Sequence, residues 1–117
     1  MESTQRDRVL GSIEHLLEVD REVRIRIQEN EAILRRALKE FTRGTTVAEA
    51  MEKSQAGFGR LRVNEALDAL TEARHEVRLA ITLAGLEEGM SIGALGRAWG
   101  VSRQLASRFA KEARGED

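Results

Sequence analysis

Residues Met90 to Arg114 read MSIGALGRAWGVSRQLASRFAKEAR, and this stretch sets what is expected of the rest of the chain. Ser91 can cap a short helix over Ile92 to Trp99, whose apolar side carries Ile92, Leu95 and Trp99. Gly100 supplies a turn, Val101 an apolar plug, and Ser102 a second cap. The helix that follows buries Leu105 or Ala106 together with Phe109, and turns Arg103, Gln104, Ser107, Arg108 and Lys111 outward. Two short helices, a glycine turn and a basic outer face are legible from residue types and spacing.

Immediately upstream, Leu67, Leu70, Val77, Ile81 and Ala84 repeat at helical spacing from Asn64, a good N-cap, to Glu87. The end of this helix completes a trihelical unit over 63–117. Arg74 interrupts its apolar stripe, which leaves a break between Thr71 and His75 open. Ala56-Gly57-Phe58-Gly59 carries two glycines around a lone aromatic and reads as a joint, with Phe58 filling a small core gap. Arg60 and Arg62 just beyond it read as solvated arginines. Thr46 and Glu49 have capping-box spacing in front of a short helix that ends near Gln55, so 44–62 is a short helix and a joint.

The remaining segment, 1–43, predicts one long helix. Between Thr4 and Thr42 there is a single glycine, Gly11, and apolar residues recur at alternating steps of four and three: Val9, Ile13, Leu16, Val23, Ile27, Leu34, Ala37 and Phe41. Asp20 and Asn30 fill the gaps in this heptad seam, and Leu10, Leu17 and Leu38 widen it on one flank. Thr4 with Asp7 resembles a capping box, and Gly44 is a natural stop. Such a helix is about 55–60 Å long at about 1.5 Å per residue. No other helix of comparable length is evident in the sequence, so a second copy of the same helix is the expected partner of the seam; the other reading is that this is the longest helix of a monomeric bundle. The residues assigned to dimerisation are Val9, Ile13, Leu16, Val23, Ile27, Leu34 and Phe41, with Asp20 and Asn30 able to fix register.

Composition agrees with an all-α chain. The 117 residues include no proline, three Phe, one Trp and no Tyr, and the apolar residues are mostly Leu, Ile, Val and Ala. Nothing in the chain forbids long helices. The formal net charge is only −1, yet charge is unevenly spread: 1–42 carries 8 basic and 9 acidic side chains, 43–89 carries 6 and 8, and 90–117 carries 5 and 3. The positive excess sits in the stretch quoted first. There is no cysteine, so disulfides and thiolate metal sites are excluded. The amino terminus lacks the apolar run of a signal peptide, and no segment has the apolar length of a membrane span, so a cytoplasmic location is expected.

The string Gly89-Met-Ser-Ile92 followed by Leu95, Gly96, Gly100-Val-Ser-Arg103 and Phe109 resembles the helix-turn-helix motif of bacterial DNA-binding regulators and of resolvase and invertase carboxy-terminal domains. The match rests on Gly96, Gly100, Val101, Ala106 and Phe109 and covers about a quarter of the chain. Trp99 is larger, and Ala106 smaller, than the residues usual at those places. The resemblance implies that the second motif helix lies in the major groove of double-stranded DNA with its amino-terminal residues at base edges. Arg103 and Gln104 are then the residues for direct readout, since Arg pairs bidentately with guanine and Gln with adenine. Ser107, Arg108 and Lys111 read bases or hold phosphates, and Arg97 and Ser102 hold phosphates. Together with the expected pairing of the long helix, the resemblance implies a small dimeric DNA-binding protein, a transcriptional regulator associated with the nucleoid; a phage or mobile-element factor working on DNA architecture fits the same features.

A helical adaptor whose helix-turn-helix contacts protein is the other reading, and the near-neutral net charge favours it. An enzyme is not expected. His15 and His75 lack partners at metal-ligand spacing, and no Ser-His-Asp set, Walker loop or catalytic carboxylate pair stands out. No cofactor, metal or small-molecule ligand is indicated.

Overall fold

The computed structural model describes residues 3–116, and among them every regular element is helical. The helices are α1 (Ser3–Thr42), α2 (Val47–Ser54), α3 (Ala56–Glu87), α4 (Ile92–Trp99) and α5 (Arg103–Ala113). Two compact units share them. One is the segment 17–71; the other combines the described residues up to Leu16 with those from Glu72 onward. Among the described residues no helix is long and apolar enough to cross a membrane, and no group of His, Asp and Glu could hold a metal ion.

Helix ends follow local chemistry. Thr46 Oγ1 accepts from the Glu49 N–H at 3.2 Å and starts α2 as its spacing predicts. Gly44 takes φ +83° behind α1, where the Thr45 N–H reaches back to the Glu40 carbonyl at 3.2 Å and satisfies one of the last free carbonyls. Thr4, by contrast, lies within the first turn of α1 instead of ahead of it. Asp7 is one methylene shorter than the Glu that closes a capping box.

Within the unit 17–71, α3 starts nine residues earlier than a cap at Asn64 would give. The predicted joint at 56–59 is its first turn, and Asn64 sits mid-helix instead of capping it. The chain reverses on Gln55 alone, a non-glycine residue at φ 64°. Gly59 is buried where α3 meets α1: a Cβ there would lie 2.5 Å from Asn30 Oδ1 and 2.8 Å from Ile33 Cδ1. The glycine therefore permits close helix contact and does not break the helix. Phe58 fills no core gap. It is 52% exposed, with the Arg62 guanidinium 5.4 Å from its ring centroid.

The inward residues of α1 in this unit are Val19, Val23, Arg26, Asn30, Ile33, Ala37 and Glu40. The expected seam shares Val23, Asn30 and Ala37 with this set but runs one residue later between them, so Ile27, Leu34 and Phe41 remain exposed. Arg26 and Glu40 are tolerated on the inner face because they are paired. Arg26 bridges Glu22 at 3.4 Å and Glu29 at 3.0 Å, and Glu40 takes Arg43 at 3.1 Å and Lys53 at 3.7 Å. Arg62 adds a bridge from α3 to Glu29 at 3.8 Å, and the Arg36 guanidinium donates to the Ser54 carbonyl. The premise that no second helix is long enough to cover α1 thus fails, because α3 has 32 residues and its first half occupies part of the seam here.

In the other unit, α3 passes Arg74 without a break because Ala73 and Val77, both buried, carry its stripe while Arg74 points to solvent. Ala73, Ala80, Leu95, Ala106 and Ala110 form the buried core with Val77. Small residues let the helices approach closely. Val9, Ile13 and Leu16 of α1 are half-buried in this unit, and Arg6 bridges Glu88 at 3.5 Å.

Candidate nucleic-acid interface

Helices α4 and α5 pack tightly across a three-residue turn. Ser91 Oγ accepts from the Ala94 N–H at 3.1 Å and Ser102 Oγ from the Leu105 N–H at 3.1 Å, so each serine caps the helix its position predicts. Gly100 is left-handed at φ +69°, and the Val101 N–H returns to the Gly96 carbonyl at 2.9 Å. A single positive-φ residue thereby ends α4 and redirects the chain. At the contact itself, a Cβ on Gly96 would lie 3.1 Å from the Val101 carbonyl oxygen and 3.6 Å from the Ala106 Cβ. Leu95, Gly96, Ala106 and Ala110 are buried, with Ile92, Trp99, Val101, Leu105 and Phe109 half-buried around them. Of the two residues left open by periodicity, Ala106 is the one fully enclosed.

This packing fixes the outward side of α5. Arg103, Gln104, Arg108 and Lys111 are exposed, and Ser107 is half-buried between them. The steps Arg103 to Ser107 and Gln104 to Arg108 to Lys111 are one-turn steps, so these side chains share one face. Arg97 on α4 is also exposed, with its guanidinium lying back along the helix over Gly93. Among the described residues, none of Arg97, Arg103, Arg108 and Lys111 has a carboxylate within ion-pair distance. Ser102 Oγ spends a lone pair on its cap, and its hydroxyl hydrogen remains free to donate. The amino-terminal N–H groups of α5 open on the same end, where the helix dipole favours an anion. The arrangement offers hydrogen-bond donors and positive charge.

The opposite side of α5 is held by residues that periodicity did not flag. Glu112 receives Arg78 of α3 at 3.4 Å and His75 at 3.6 Å, and the Arg78 guanidinium stacks 4.4 Å from the Phe109 centroid. His75 and Arg78 also touch each other. The pair at i and i+3 could be seen as sharing a helix face, but nothing local indicates that Glu112, 34 residues beyond Arg78, lies opposite. Glu112 and Glu116 border the groove that Arg108 and Lys111 line. Positive potential is therefore least offset at the Arg103–Gln104 end.

Comparison with protein-family models, with curated proteins and with solved structures returned no match.

Proposed function

We propose that the chain is a small homodimeric protein that binds double-stranded DNA sequence-specifically, a transcriptional regulator, with α5 in the major groove. The observation that carries this reading is the outward face of α5: Arg103, Gln104, Arg108 and Lys111 exposed together, without carboxylate partners among the described residues, at the end of a rigid glycine-turned pair of helices. The resemblance of this pair to a helix-turn-helix motif supports it. Arg103 and Gln104 read base edges, and Arg97, Ser102, Arg108 and Lys111 hold phosphates, with Ser107 at the boundary between the two sets.

Binding isotherms on a selected duplex and a scrambled one, repeated at rising salt, test the reading. With Arg97, Arg108 and Lys111 on phosphates, the slope of log K against log salt is about −3 for one copy and about −5 for a pair. Arg103→Ala is expected to cost about 1–3 kcal/mol on the selected duplex and to relax preference at one base pair, whereas Lys111→Ala weakens both duplexes alike. Absence of any salt-sensitive retardation at low salt refutes DNA binding. The competing reading, a helical adaptor that contacts protein, draws on the net charge of −1 and on the exposed apolar residues of the unit 17–71.

A further inference from the structure

The unit 17–71 is short of a core. Its buried hydrophobic residues are Val23, Ala37 and Ala50, while among the described residues eleven of the twelve exposed large hydrophobic side chains belong to it. Monomeric proteins rarely leave so much apolar material in water. Along α1 these residues are not scattered. Leu17, Ile27, Leu34, Leu38 and Phe41 fall on a second heptad stripe, with Asp20, Arg24 and Glu31 in its gaps, about 100° round the helix from the inner one. A helix that is apolar on two adjacent stripes suits a bundle of more than two helices, and only one stripe is covered within this unit.

The charges in and beside the outer stripe identify what covers it. Asp20, Arg24, Glu31 and Arg35 have no ion-pair partner among the described residues, and neither do Glu18, Arg21 and Lys39 beside the stripe, whereas Glu22, Arg26, Glu29 and Glu40 nearer the inner face are paired. Along the helix the unpaired charges run from an acidic start at Glu18 and Asp20 to a basic end at Arg35 and Lys39, with Arg24 and Glu31 at the centre. A parallel pair of α1 helices in register stacks each of these charges on its own copy, which is repulsive at every level. An antiparallel pair that sets Leu17 beside Leu38 of the second copy brings Arg24 to Glu31 and Asp20 to Arg35 at the same time, because the numbers in all three pairs sum to 55. Leu17 and Leu38 are the two most exposed large hydrophobic residues of α1, at 64% and 67%.

We propose that this outer face of α1 pairs antiparallel with the same face of a second copy of the chain, in the register that joins Leu17 to Leu38 and Arg24 to Glu31. The occupant is a self-complementary helix, and the α1 and α3 segments of the two copies together make a four-helix layer flanked by the two short α2 helices. Leu17, Ile27, Leu34, Leu38 and Phe41 supply the apolar centre of such an interface, which in a standard case takes roughly 20–30 residues a side. The inference gives the homodimer of the preceding section its orientation, but it stands on this unit alone and needs no DNA.

Three measurements on the full chain test it without DNA. Sedimentation equilibrium is expected to give a dimer; a monomer at all concentrations rejects the second copy as occupant. Arg24→Glu and Glu31→Arg should each raise the dimer dissociation constant by about tenfold or more, and the double variant should recover most of that loss. Residues 24 and 31 stand about 10 Å apart along one helix, so recovery reports contact between copies. A double variant no tighter than the single ones rejects the register.

Because the chain has no cysteine, Leu17→Cys and Leu38→Cys can also be read by oxidation. Mixed, the two variants should form a disulfide. Alone, Leu17→Cys should not, because the two copies of that position lie about 30 Å apart in the antiparallel register. Self-linking of Leu17→Cys would establish parallel pairing instead. Both positions are exposed within the single chain, and far-UV circular dichroism verifies that each variant keeps its helices. Loss of DNA binding with the dimer intact would count against the DNA reading only.

Discussion

Gly93 and Gly96 lie in the same eight-residue helix, yet replacing each by alanine should move stability in opposite directions. In an exposed helix position glycine to alanine gains up to about 1 kcal/mol from backbone entropy. At Gly93 nothing offsets that gain, since a Cβ meets only the Arg97 Nη1 at 3.5 Å and Ser91 Oγ at 3.9 Å, ordinary contact distances. At Gly96 the same methyl group sits 3.1 Å from the Val101 carbonyl oxygen. That oxygen belongs to the backbone of the turn, so it cannot swing away as a side-chain end would, and Ser102 O and Ala106 Cβ close the remaining space. Overpacking of this kind costs about 1–3 kcal/mol. The sum is stabilisation of up to about 1 kcal/mol for Gly93→Ala and destabilisation of up to about 2 kcal/mol for Gly96→Ala. Urea unfolding followed by far-UV circular dichroism measures the difference, and the single tryptophan, Trp99 at the end of α4, reports the same region by fluorescence. At about 1–3 kcal/mol per molar urea the two midpoints should separate by about 0.5 M or more. Equal shifts in the same direction would show that Gly96 does not mark the closest approach of α4 and the following turn.

Thr82 is fully buried and its hydroxyl has no hydrogen-bond partner among the described residues, so Thr82→Val, which keeps the side-chain shape, should raise stability by about 1 kcal/mol in the same urea assay; a loss of stability would mean that the hydroxyl is satisfied. Gln55 holds a left-handed conformation between α2 and α3 at φ 64°. Gln55→Gly should stabilise by about 1 kcal/mol and Gln55→Val should destabilise, and thermal melts giving the reverse order would remove the strain argument.

Local sequence specifies structure where a side chain acts on its own backbone. Ser91, Ser102 and Thr46 cap the helices predicted from them, and Gly44 and Gly100 take the positive φ that ends a helix. Residue type is ambiguous where it serves two purposes. Gly57 and Gly59 suggest a joint because glycine is common in turns, but Gly59 lies where α3 closes on Asn30 and Ile33, a contact periodicity cannot express. Asn64 is a good cap by type and lies mid-helix by position, because the helix had already been started at Ala56. The candidate face on α5 follows from amphipathic spacing. Its anchoring through His75, Arg78 and Glu112 does not, since the partners lie on different helices.

By itself, the sequence determined that this protein is helical, that a long helix precedes several shorter elements, and that α5 presents its basic residues on one side. Those properties depend on interactions within about one turn, which residue order specifies directly. Only the tertiary structure decided which stripe of α1 faces inward. The apolar arc of that helix is wide enough for two adjacent seams one residue apart, and the choice between them depends on where Gly59 allows α3 to approach. That choice leaves Ile27, Leu34 and Phe41 in solvent, on a face of the helix not used within the unit 17–71.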